Sequence, residues 1–142
     1  MRKKIKEIKN YLIRDENIIF ALLFGSLAEG GFKHLSDVDI GIYLKHEPDL
    51  LEIGRMISNL EKISGRSIDL VVLNDLFKKD PLFAYEIISK SKLLFSKDDR
   101  RFTEFKRRVF LAYLDTEALR KEVNQSLLRR IDENRFGRFN YA

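Results

Sequence analysis

The feature that most constrains the fold is the apolar run Ile18-Ile19-Phe20-Ala21-Leu22-Leu23-Phe24, which stops at Gly25-Ser26. A continuous run this short predicts a strand buried on both faces, and so a central one. It is far too short to span a bilayer. Ten residues after Ser26, a second strand is expected from Asp37 to Leu44. Here the pattern alternates: Val38, Ile40 and Ile42 point one way, and Asp37, Asp39 and Gly41 the other. A parallel crossover usually takes a dozen or more residues, so a ten-residue link predicts antiparallel neighbours. The end of the first strand then lies beside the start of the second. Gly25-Ser26 and the two aspartates are expected to meet at one sheet edge.

The rest of the chain fills in around that pair. Residues 2–14 set Ile5, Ile8, Leu12 and Ile13 at helical spacing among lysines, an amphipathic helix. Ser26 and Glu29 have the spacing of a capping box, which predicts a short helix after the first strand. Pro48 suits the first turn of a helix whose apolar side is Leu51, Ile53, Ile57, Leu60 and Ile63, with Gly65 at its C-terminal stop. A third strand is expected over Ser67–Leu73, with Asp69 near its start. Asp80-Pro81 reads as cap and first residue of a helix through about Ser89. Leu93-Leu94-Phe95 predicts a short edge strand, and Ser96 with Asp99 a helix start. Phe102, Phe105, Val109, Tyr113, Leu119, Val123, Leu127 and Ile131 continue at helical spacing, with a skip at Asp115-Thr116 where a kink or second N-cap is expected. From Gly137 onward a frayed tail is expected. The expected class is α+β: a small mixed β-sheet flanked by helices, with a long C-terminal helix. A single domain over 1–142 is expected, with a core at about 16–97 and a helical segment at about 98–136.

Composition narrows the setting. The chain has 142 residues, 44% of them hydrophobic, enough for one core and too apolar for general disorder. It has no cysteine, which removes disulfides and thiolate metal sites. With neither a signal-peptide pattern nor a membrane span, the expected location is cytoplasmic. The net charge of +5 is uneven: residues 1–15 carry +4, residues 16–97 carry −2 and residues 98–142 carry +3. Basic ends fit either solvated helix faces or contact with an acidic partner or RNA. Direct RNA binding is the less favoured reading.

The motif has a chemical logic. Transfer of a nucleotide attacks the α-phosphorus of a triphosphate and expels pyrophosphate, so much negative charge must be held. Two Mg²⁺ ions can hold it, and Mg²⁺ takes hard oxygen ligands such as carboxylates. Asp37 and Asp39, at i and i+2 on a strand, share a face and can reach one metal pair. Asp69 can close the cluster as a third ligand and polarise the attacking hydroxyl. Gly25 lets the backbone approach a phosphate. Ser26, at a helix start, adds N–H groups, a positive dipole end and a hydroxyl. Lys33 is a further candidate phosphate contact, though a solvated lysine is the better reading. His34 and His46 read as loop residues. Core packing is favoured over base stacking for Tyr43 and Tyr85, and core or partner interface for the stripe from Phe102 to Tyr113.

The segment GSLAEGGFKHLSDVDIGIYL resembles the Gly-Ser, ten residues, Asp-x-Asp signature of the DNA polymerase β-like nucleotidyltransferase superfamily. With SIDLVVLND and DPLFAYEIISKSKLLFSKD, residues 16–115 resemble its minimal branch, which includes the MntA antitoxins paired with HEPN-domain toxins. The resemblance implies a polymerase β-like fold and an Mg²⁺-dependent nucleotidyltransferase with ATP as substrate. It implies transfer of AMP to a tyrosine of a HEPN toxin, antitoxin action and a hetero-oligomer with that partner. Carried over, Gly25 and Ser26 bind the nucleotide, and Asp37, Asp39 and Asp69 are the catalytic and metal-binding carboxylates. Many relatives have Ala-Arg-Gly where this chain has Ala28-Glu29-Gly30, so Glu29 replaces an arginine that would bring charge near the phosphates or support the turn. The competing readings are transfer to a small molecule or RNA, and an antitoxin that acts by binding alone.

Overall fold

A computed structural model describes residues 2–25 and 37–132. The short helix predicted after Ser26, with Glu29, Lys33 and His34, lies outside the described residues, as does the tail from Gly137. The elements run α1 (Arg2–Ile13), β1 (Ile18–Phe24), β2 (Val38–Leu44), α2 (Leu50–Ser64), β3 (Ile68–Val72), α3 (Leu76–Lys79), α4 (Pro81–Lys90), β4 (Lys92–Ser96) and α5 (Asp99–Asp132). The four strands form one mixed sheet in the order β3-β2-β1-β4. β1 pairs antiparallel with β2 and β4, and β2 pairs parallel with β3. The architecture is the α+β class expected, a small mixed sheet flanked by helices with a long last helix.

β1 owes its unbroken apolar run to its position. It has a strand on each side and helices on both faces, and all seven residues are buried. On one face Ile18, Ala21, Leu23, Val38, Ile40 and Ile42 pack with Ile8 and Leu12 of α1 and Met56 and Leu60 of α2. On the other, Phe20, Leu22, Phe24 and Leu73 pack with Ala84 and Ile87 of α4 and Phe105 and Val109 of α5. Alternation along β2 sorts side chains between these layers. Tyr43 belongs to the second layer, where it stacks on Phe20 with ring centroids 4.8 Å apart. Tyr85 stacks on Tyr113 at 3.8 Å. Both are packing residues, as expected.

Local chemistry sets the element ends, with three departures from expectation. Pro48 precedes α2; the cap is Asp49, whose carboxylate accepts from the Leu51 N–H at 3.2 Å. An aspartate satisfies a free helix N–H, whereas proline at that place cannot. Likewise Asp98 caps α5, accepting from the Arg101 N–H at 3.2 Å, in place of Ser96, which ends β4. The predicted break at Asp115-Thr116 does not form, and α5 is continuous for 34 residues. The Thr116 hydroxyl donates back to the Tyr113 carbonyl at 2.7 Å, which keeps a capping-type residue inside the helix. Gly65 ends α2 at φ 68°, and Asp80 with Pro81 opens α4, both as expected. The one-turn α3 has no periodicity from which to read it.

α5 changes character along its length. Phe105 and Val109 are buried in the core, whereas Leu119 and Val123, further along the same stripe, are 62% and 59% exposed. Among the described residues, no helix is long and apolar enough to cross a membrane.

Candidate active site

The two ends of the β1–β2 connection converge on one sheet edge. Across that edge Phe24 of β1 stands opposite Asp39 of β2, and Asp39 opposite Asp69 of β3. Direct cross-strand partners point to the same face, so Asp39 and Asp69 open on the side covered by α4. Asp37 lies one residue before β2 and is exposed.

Gly25 leaves β1 at φ 73°, the left-handed region in which side chains are strained. It also has no room for one. A Cβ there would collide with the Asp39 carboxylate, lying 3.0 Å from its Cγ and 3.3 Å from its Cβ. The glycine turn and the Asp39 carboxylate are thus packed in direct contact. Sequence reasoning assigned Gly25 to phosphate approach; the structure adds this second, purely steric requirement.

The carboxylates stand close enough to disturb one another. The Asp39 carboxyl is pushed above its ordinary value of 3.8, first by burial, then by the negative charges of Asp69 and Asp37, and then by a hydrogen bond with Asp69. Like-charge crowding raises the free energy of the ionised state. Among the described residues, no group of three His, Cys, Asp or Glu side chains stands ready-made to hold a metal ion. What exists is a close pair, Asp39 and Asp69, with Asp37 acting from further away. A set of oxygen donors that repel one another suits a hard divalent cation, which would relieve the repulsion.

A cleft of about 380 Å³ opens over this edge, lined by Phe24, Gly25, Asp39 and Asp69 from the sheet and Phe83, Glu86, Ile87 and Lys90 from α4. Its floor is charged; its α4 wall is part apolar, with Phe83 set edge-on to Phe24 at 6.2 Å. Ser26 lies outside the described residues, so only Gly25 of the predicted phosphate-binding pair is seen. The α4 wall was missed in sequence reasoning. The available signal was the Asp80-Pro81 helix leading straight into β4, the strand beside β1. His46 stands at the far end of the sheet.

Three comparisons bear on this geometry. Residues 6–100 match the family described as polymerase beta, nucleotidyltransferase. A "Putative protein adenylyltransferase" of Methanocaldococcus jannaschii is 34% identical over 77 residues, covering 54% of this chain and 84% of that protein. A crystal structure of a toxin-antitoxin with AMP-PNP superposes with a TM-score of 0.68 at 18% identity, covering 89% of this chain and 97% of that one. A structure of the tri-AMPylated Shewanella oneidensis HEPN toxin in complex with MNT antitoxin gives a TM-score of 0.63 at 16% identity, covering 87% and 98%. At such identities the two structures show likeness of fold.

Proposed function

Because the chain belongs to the polymerase beta nucleotidyltransferase family, we propose that it transfers AMP from ATP to a tyrosine of a HEPN-type toxin and so acts as its antitoxin. The observation that carries this reading is the direct packing of the Gly25 turn on Asp39, with Asp69 in register beside it, at the floor of one cleft. The protein-adenylyltransferase name of the M. jannaschii relative and the AMPylated toxin in the Shewanella complex support the acceptor class.

The division of labour follows from the residues. Gly25 lets the backbone approach a phosphate where any side chain would block Asp39. Ser26 adds a hydroxyl that can donate to a phosphate oxygen. Asp37, Asp39 and Asp69 would hold Mg²⁺, which when bound neutralises charge developing on the phosphoryl oxygens and on pyrophosphate. Asp69 orients the tyrosine hydroxyl and takes its proton. The tyrosine oxygen bonds to the α-phosphorus, the bond to the β-phosphate breaks, and pyrophosphate leaves. A triphosphate and an acceptor need to reach the same carboxylates, which an open cleft permits.

The test is incubation with labelled ATP, Mg²⁺ and a HEPN-type toxin, taken as the protein encoded by the adjoining gene. Label on the toxin is expected, lost when Asp37→Ala and Asp39→Ala are combined. Label transfer that survives that double substitution would overturn the mechanism.

A further inference from the structure

Resting on the nucleotidyltransferase reading, we propose that Lys90 is a phosphate-binding residue that holds the triphosphate from the α4 side of the cleft. Lys90 is the one cation among the described residues that line it. The opposing floor holds Asp39 and Asp69, with Asp37 near enough to act on Asp39. A triphosphate entering there adds negative charge, and an ammonium is the compact donor suited to phosphate oxygens.

The fold holds Lys90 at that place. It is the last residue of α4, two residues before Lys92 opens β4, and Lys92 stands opposite Leu23 of β1. Leu23 is two residues from Gly25. The chain therefore ties the end of α4 to the same sheet edge that carries the glycine turn and the carboxylates.

Lys90 Nζ pairs with the Glu86 carboxylate one helical turn earlier at 3.6 Å, and the two side chains are 56% and 62% exposed. A pair so exposed adds little stability. A lysine at a helix C-terminus also interacts favourably with the helix dipole. A purely structural role predicts a lower melting temperature and unchanged nucleotide binding. The phosphate role predicts weaker nucleotide binding in addition, with Glu86 competing for the ammonium.

The experiment measures binding of a non-hydrolysable ATP analogue with Mg²⁺ by calorimetry, alongside thermal unfolding, on the full chain. Lys90→Ala is expected to weaken binding about 10-fold, a loss that a change in melting temperature alone does not produce. Lys90→Arg should stay within about 3-fold of the parent. Glu86→Gln should tighten binding about 2- to 3-fold in the parent and by less when Lys90 is alanine. Lys78→Ala, on α3 and away from the cleft, should change nothing. Parent-like affinity in Lys90→Ala, or an equal loss in Lys78→Ala, would overturn the assignment alone. A parent protein that binds no analogue would bring down the nucleotidyltransferase reading together with it.

Discussion

The two edges of the sheet are built on opposite principles. At the edge where β1 begins, polar groups answer one another. Asn74 donates to the Leu44 carbonyl at 2.7 Å and accepts from its N–H at 3.0 Å. Asn17 accepts from the His46 N–H at 2.9 Å and donates to its carbonyl at 3.2 Å. Lys97 closes that edge on the Asp15 carbonyl at 2.8 Å. The buried Ser96 hydroxyl is the exception, with no partner. At the other edge, where β1 ends, a left-handed glycine presses on a carboxylate, and that carboxylate faces two more of its own charge. The first edge stabilises the fold; the second works against it by crowding like charges together. Departures from local consistency of this kind mark working sites.

The sharpest way to break the comparison is Asp39→Ala. Transfer is expected to fall at least about 10³-fold, because several kcal/mol of charge stabilisation go with the carboxylate. Single-turnover kinetics with labelled ATP would measure it. Retention of more than a tenth of the parent rate would mean that this edge is not the reacting centre.

Gly25→Ala is expected both to abolish transfer and to destabilise the protein by about 2–4 kcal/mol, from left-handed strain and displacement of Asp39. Urea unfolding checks the second part. At the satisfied edge, Asn74→Ala should cost about 1–3 kcal/mol, because the Leu44 N–H and carbonyl lose their partner. Its affinity for an ATP analogue should match the parent. A drop in affinity comparable to that of the cleft variants would erase the distinction between the two edges.

The smallest effect concerns pH. The folded Asp39 carboxyl titrates above its ordinary 3.8, so the native state holds its proton more tightly than the unfolded chain. Its contribution is present at low pH and is lost as pH rises past about 4 and through the folded value. In metal-free buffer, Asp39→Asn should therefore be slightly more stable than the parent at pH 7. The gap should close toward pH 3 and shrink when Mg²⁺ is added. Melting curves across that range would show it, and a destabilised Asp39→Asn at pH 7 would contradict the crowding.

Much of this was legible beforehand because it rests on short-range rules. A seven-residue apolar run has few places to go other than the centre of a sheet. The ten-residue link limits how β2 can return, and alternation puts Asp39 on the face opposite Ile40. The capping errors arose where two candidates stood a residue or two apart, as with Pro48 and Asp49 or Ser96 and Asp98. Thr116 misled for a different reason: its hydroxyl has two uses, and the neighbouring turn decided between them.

The sequence by itself determined the strands, their antiparallel entry, the α+β class and the candidate set Gly25, Ser26, Asp37, Asp39 and Asp69, because periodicity and link length act locally. Only the tertiary structure decided that Asp39 and Asp69 stand side by side. Their register depends on how the α2 crossover seats β3 against β2. It also decided that Gly25 is sterically bound to Asp39, and that α4 brings Phe83, Glu86 and Lys90 over them. Those contacts join residues 14 or more positions apart, and no spacing rule reaches across a packed core.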